Sequence, residues 1–141
     1  MSDQNCVLLS WNVRGMNNPA RRKVIKDLSG ENSCTIVSLQ ETKMQSIDHD
    51  AVCETLESSF GGNFAILPAD GTRGGALLAV HDEFYLITQT EVHAHSVSAK
   101  LQAKTGVVEW WLTVVYGPQD DQEKVQFLQE LCDLRNSFSD K

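Results

Sequence analysis

Cys6-Val7-Leu8-Leu9-Ser10-Trp11-Asn12-Val13-Arg14-Gly15 and, further along, Cys34-Thr35-Ile36-Val37-Ser38-Leu39-Gln40-Glu41-Thr42-Lys43 follow one plan. Each is an apolar run that breaks into a polar cluster. The stretch between them reads as a helix. Asn18 is placed to cap it and Pro19 to occupy its first position. Val24, Ile25 and Leu28 form its expected buried stripe, Arg22, Lys23 and Lys26 its solvent side, and Gly30 its stop. Two parallel strands joined by such a crossover end on the same edge of one sheet, where α/β sheets place their chemistry. Asn12 and Glu41 then face a common site. An amide and a carboxylate converging there suggest a divalent metal and a phosphate substrate. Magnesium takes one or two carboxylates and keeps several waters, so a single Glu at a strand end suits it. A solvent-exposed turn glutamate is the plainer reading of Glu41 alone; its equivalent placement with Asn12 favours the site. Arg14 and Lys43, each two residues further on, either contact a phosphate or are surface charges.

Beyond the second strand, a helix is predicted over 48–60, with Val52, Leu56 and Phe60 at intervals of four. From residue 63 the texture turns to β. Strands are predicted over 63–68, 75–80, 84–92, 96–103 and 107–116. They are separated by Asp70-Gly71, Arg73-Gly74-Gly75, His81-Asp82 and Thr105-Gly106. Such short links favour antiparallel pairing. A last amphipathic helix is predicted over 120–136, with Asp120 and Glu123 at capping-box spacing. The order gives an α/β fold: a mixed β-sheet with helices packed on one face.

The chain has 141 residues, one domain's worth. No apolar stretch approaches the roughly 20 residues of a membrane span, and the N-terminus lacks a signal-peptide core, so neither membrane nor secretion is expected. Cys6, Cys34, Cys53 and Cys132 are scattered, and read as reduced, mostly buried residues of an intracellular protein. The net charge of −7 argues against generic nucleic-acid binding, but its distribution matters more. Residues 1–30 carry a net +3 and the remaining 111 residues −10, a basic island on an acidic body. An acidic protein still acts on a phosphodiester when its cations and metal sit locally at the site.

Four segments, in this order, carry a resemblance: Ser10-Trp11-Asn12-Val13-Arg14-Gly15; Ile36-Val37-Ser38-Leu39-Gln40-Glu41-Thr42-Lys43; Arg73-Gly74-Gly75-Ala76-Leu77-Leu78; and Val115-Tyr116-Gly117-Pro118. Together they resemble the N-terminal half of the endonuclease/exonuclease/phosphatase superfamily, the group of exonuclease III-like and apurinic endonucleases. The Trp-Asn-Val-Arg-Gly and Gln-Glu-Thr-Lys segments are closest to the endonuclease domain of plant LINE-type non-LTR retrotransposons. The resemblance implies the N-terminal half of a four-layer α/β sandwich, and a Mg2+- (or Mn2+-) dependent endonuclease or phosphodiesterase acting on DNA. It implies that Glu41 binds the metal, that Asn12 helps hold metal and phosphate, and that Tyr116 contacts the scissile phosphate. Arg14, Lys43 and Arg73 are further phosphate contacts on this reading. A retrotransposon origin implies a nuclear protein; otherwise a cytoplasmic one is expected.

Members of the superfamily continue with Gly-Asp-Phe-Asn and Ser-Asp-His motifs, which supply the remaining carboxylate and the acid/base pair. Neither follows Tyr116, so residues 1–141 read as a partial domain truncated before them. Asp48-His49 precedes a helix and Ser139-Asp140-Lys141 lacks the His, so neither is a substitute. Loss of a general base costs about 10²–10⁴-fold, and little stand-alone activity is expected. The competing readings are a non-catalytic remnant that binds metal or nucleic acid weakly, and a phosphodiesterase with a small-molecule substrate. Half a sandwich would also leave one sheet uncovered, with self-association through it. His93 and His95 lack a third ligand at zinc spacing. Trp110 and Trp111 must point to opposite faces of their strand, and Trp11 reads as core.

Overall fold

The computed structural model describes residues 7–71, 73–104, 106, 108–115 and 128–133. Strand β1 (Leu8–Asn12) leads through helix α1 (Pro19–Glu31) to β2 (Ile36–Gln40), and the two strands are parallel, Leu8 opposite Ile36 and Asn12 opposite Gln40. Helix α2 (His49–Thr55) and a 3₁₀ turn (Ser58–Phe60) precede β3 (Phe64–Leu67) and β4 (Ala76–Val80). Strands β5 (Tyr85–Val92), β6 (Ser96–Ala103) and β7 (Glu109–Val115) follow. They make two sheets: a mixed one in the order β1-β2-β4-β3, and an antiparallel one in the order β5-β6-β7.

Alternation along each strand assigns the layers. Val37, Leu39, Leu77 and Ala79 point to the helices, where Ile25, Val52, Leu56 and Phe60 complete a core. Ile36, Ala65, Leu78 and Val80 point the other way, against Val97, Ala99, Leu101 and Val114 of the second sheet. Strands β2 and β4 are thus buried on both faces, as their unbroken apolar runs require. The fold is the expected mixed α/β sandwich, with helices on one face of the mixed sheet and the second sheet on the other. Trp11 packs on the helix-side core, as expected, and Trp110 packs on the inter-sheet core.

Several expectations are corrected. Gly30 does not stop α1, which ends in a Schellman arrangement: Ser33, left-handed at φ +52°, donates to Gly30 O at 3.2 Å, and Cys34 N donates to Ser29 O at 3.0 Å. The buried stripe of α1 is Ile25 and Ser29, while Val24 is 52% exposed. Arg22, expected in solvent, lies against the fold, with Nε donating to Met16 O at 2.6 Å and Nη1 to Glu54 Oε2 at 2.7 Å. The start of α1 is as expected, with Asn18 Oδ1 accepting from Ala20 N at 2.8 Å. The predicted helix 48–60 is two pieces, α2 and the 3₁₀ turn. Of the predicted last helix, residues 128–133 are helical and the rest lies outside the described residues. The cysteines are not uniformly buried: Cys34 is buried, Cys53 intermediate and Cys132 exposed.

Leu78 is fully enclosed between the sheets. Leu78→Ala is expected to lower stability by about 2–5 kcal/mol, read as a reduced urea midpoint with an unchanged slope. Burial also pushes the Cys34 thiol up, so at mildly alkaline pH it should react with iodoacetamide far more slowly than Cys132.

Candidate metal and phosphate site

The parallel ladder does not end where the strands do. Val13 N donates to Gln40 O at 2.9 Å, Gly15 N to Glu41 O at 2.7 Å and Met16 N to Thr42 O at 2.9 Å. On the other side, Thr42 N donates to Gly75 O at 3.2 Å and Lys43 N to Gly74 O at 2.8 Å. Segment 41–43 is therefore held between two backbone neighbours. Its conformation is unusual for its residues: Glu41 has φ +57° and Lys43 φ +59°, and Arg14 on the adjoining loop has φ +54°. A non-glycine residue held in the left-handed region costs about 1–3 kcal/mol, and such residues cluster at functional sites. Among the described residues four non-glycines have positive φ, and three of them are here.

The turn at Glu41 interrupts the strand's alternation and brings its carboxylate to Asn12. Asn12 Nδ2 donates to Glu41 Oε2 at 2.6 Å, while Asn12 Oδ1 accepts from Arg14 N at 3.2 Å. The backbone contact fixes which end of the amide faces Glu41. In this arrangement the Asn12 side chain serves the carboxylate. Glu41 Oε1 has no hydrogen-bond partner among the described residues. Glu41 and Lys43 are half-buried, Asn12 and Arg14 exposed.

The other expected residues are distributed around this centre. Arg73 closes a tight turn with Asp70, paired by backbone hydrogen bonds of 2.8 and 3.0 Å. It precedes Gly74 and Gly75, whose carbonyls hold segment 42–43. Arg73 also lines a small cavity of about 100 Å³ with Asp70 and His95. Tyr116 lies outside the described residues. His93 lies beside Glu91 at 3.2 Å, and His95 beside Glu130 at 3.6 Å. Among the described residues no cluster of three or more His, Cys, Asp or Glu could hold a metal. Asp48 caps α2, accepting from Ala51 N at 2.8 Å, which gives the Asp48-His49 pair a structural role. An open groove next to Lys43, lined also by Asn17, Gln45 and Ser46, was not foreseen from the sequence.

The donor set tests the expected metal. One carboxylate with a free oxygen, and no histidine or thiolate beside it among the described residues, fits magnesium or manganese and does not fit zinc. Glu41 would hold such an ion, and Asn12 would orient Glu41.

The fold has counterparts among solved structures. The fold is shared with the endonuclease/exonuclease/phosphatase-like proteins. An AP endonuclease from Leishmania major is similar with a TM-score of 0.57 at 13% identity, over 85% of this chain and 43% of that one. TDP2 from D. rerio, solved with a single-strand DNA product, gives a TM-score of 0.62 at 14% identity, over 94% of this chain and 54% of that one. A functionally unknown conserved protein from Enterococcus faecalis V583 gives 0.58 at 12% identity, over 93% and 62%. The chain thus spans about half the length of these neighbours. No family profile and no curated protein matches it in sequence.

Two substitutions test the strained segment. Thr42 Oγ1 is buried with no hydrogen-bond partner among the described residues, so Thr42→Val should raise stability by about 1 kcal/mol. Gly75 has φ +89°, and a β-carbon there would lie 2.4 Å from Thr42 Oγ1. Gly75→Ala should therefore lower stability by more than about 1 kcal/mol, whereas Gly62→Ala, in open space, should not. Thermal melts of the three variants compare these effects directly.

Proposed function

We propose that this chain is the metal-binding portion of a magnesium-dependent phosphodiesterase acting on DNA. The observation that carries the reading is the Asn12–Glu41 hydrogen bond of 2.6 Å between the ends of two parallel strands. It orients a carboxylate at the sheet edge where α/β folds place their ligands. The names of two structural neighbours, an AP endonuclease and a TDP2 bound to a DNA product, support a DNA substrate. The retrotransposon-type origin rests on the Trp-Asn-Val-Arg-Gly and Gln-Glu-Thr-Lys segments.

On this reading Glu41 binds the ion. Asn12 holds Glu41 in register and would have its second amide hydrogen available to donate to a phosphate oxygen. Arg14, Lys43 and Arg73 neutralise phosphate charge around that point, and Tyr116 contacts the scissile group. When bound, the metal would polarise the phosphoryl oxygen and offset charge developing on it. These residues bind and orient; none of them is a general base.

Titration with Mn2+ followed by electron paramagnetic resonance tests the assignment. Glu41→Ala should abolish the site, and Asn12→Ala should weaken it by about 10–100-fold, the range for partners that orient a metal ligand. Undiminished Mn2+ binding in Glu41→Ala would refute the assignment. Any Mg2+-dependent nicking of supercoiled plasmid should disappear in the same variant and in EDTA.

The flank formed by β1 and β7 supports self-association. Strand β7 lies over β2 and β4, so both sheets end on the side where β1 is the outer strand. Among the described residues nothing pairs with the outer edge of either strand. Leu8, on the inter-sheet face of β1, is 50% exposed. Sedimentation velocity at rising concentration should show a dimer that Leu8→Lys shifts to monomer. A wild-type monomer throughout would exclude it.

A further inference from the structure

Helix α2 carries a second group of reactive side chains, outside the site at Glu41. His49 and Cys53 stand four residues apart on it, the spacing that puts two side chains on one helix face. Cys53 Sγ lies 3.7 Å from His49 Nε2 and 3.9 Å from Nδ1. Whichever nitrogen lacks the proton can accept from the thiol, so the contact holds in either neutral tautomer. Asp50 Oδ1 lies 3.6 Å from His49 Nδ1. Its carboxylate favours the tautomer with the proton at Nδ1, which leaves Nε2 to the sulfur.

The adjoining 3₁₀ turn fixes the pair. A β-carbon at Gly61 would stand 2.7 Å from Cys53 Sγ and 2.9 Å from His49 Nε2. Both groups thus press on bare backbone, which closes one side of the sulfur, while Cys53 remains partly exposed on the other. Lys26 Nζ donates to Cys53 O at 3.1 Å, so an ammonium stands at the same residue. The other described cysteines lack this combination. Cys34 is enclosed in the core, and Cys132 is exposed with no partner for its thiol among the described residues. Reactive cysteines sit partly exposed beside basic groups, whereas buried structural ones are inert. A nucleophile, a base in contact with it and a third group orienting the base is the arrangement that activates a thiol.

We infer that Cys53 is a site of reversible S-thiolation by small peptide disulfides, with His49 as its base. The Cys53 proton passes to His49 Nε2, and the thiolate attacks one sulfur of the incoming disulfide. That disulfide's S–S bond breaks as the new one to Cys53 forms, and the departing thiolate takes the proton from His49. The protein thiol is oxidised, one half of the small disulfide leaves as a reduced thiol, and the other half stays on Cys53. Lys26 offers its charge to a carboxylate of the incoming peptide. Incubation of the full chain with oxidised glutathione, followed by peptide mass mapping over time, reads each cysteine separately. Ordinary thiols are only a few per cent ionised near pH 7, so Cys53 should acquire the glutathionyl group about tenfold faster than Cys132. His49→Ala should bring Cys53 down to the Cys132 rate. Added imidazole should then restore part of the loss, which a packing role for His49 would not predict. The Cys132 rate, unchanged in the variant, reports an intact fold. Equal rates at Cys53 and Cys132 in the wild type would overturn the inference, as would an undiminished Cys53 rate in His49→Ala. So would a Cys53 advantage that persists in urea-unfolded protein, since the folded pairing is what creates it.

Discussion

Segment 41–43 is gripped from both sides by backbone, and the candidate site depends on that grip. On one side Gly15 N and Met16 N reach the carbonyls of Glu41 and Thr42; on the other, Gly74 and Gly75 take the amides of Lys43 and Thr42. Left alone, Glu41 and Lys43 would leave the left-handed region, since each costs about 1–3 kcal/mol to hold there. Four backbone hydrogen bonds, each worth about 0.5–1.5 kcal/mol net, are of the right size to hold them. The consequence is geometric. A relaxed β conformation at Glu41 would continue the alternation that sends neighbouring side chains to opposite faces, and the carboxylate would turn away from Asn12. The strain is what converts two strand ends into one site.

That grip in turn needs the layers behind it. Strand β2 sits between β1 and β4 and is buried on both faces, so its end cannot drift. Gly75 is required because its φ of +89° and its approach to Thr42 exclude a side chain. Thr42 is fully buried for the same reason. Its hydroxyl lacks a partner among the described residues, a local cost borne at a tightly packed junction. Stability is spent at this corner of the fold, and the extended strands around it are where it is recovered.

Much of this was legible in the sequence, for definite reasons. Strands with both faces buried read as continuous apolar runs, which made β2 and β4 plain. Pro19 and Asn18 marked the start of α1 because proline at the first helical position and an Asn cap each have a local cause. The end of α1 was misread because Ser33, not a glycine, takes the left-handed position, and sequence carries no signal for a serine doing so. The stripe of α1 was misread because periodicity reports a helix's apolar positions but not how much of that face its neighbours cover. Only Ile25 and Ser29 are buried there. The Asn12–Glu41 pair could be inferred from parallel topology alone. The conformations of Arg14, Glu41 and Lys43 could not, since none is a glycine. The groove was invisible for another reason: Asn17, Gln45 and Gly71 meet only through tertiary structure.

The two sides of the loop also differ in a way that bears on what binds. Towards Arg73 the neighbouring cavity is small, about 100 Å³, and contains the carboxylate of Asp70 beside the guanidinium. Towards Lys43 the groove is several times larger and, among the described residues, is lined by no carboxylate. On the one side the Asp70 carboxylate offsets the charge of Arg73, whereas on the other Lys43 makes no ion pair among the described residues. Coulomb energies between unit charges at 4 Å are about 1 kcal/mol in water and about 4 kcal/mol near a protein surface, so the uncompensated positive charge of the loop lies towards Lys43.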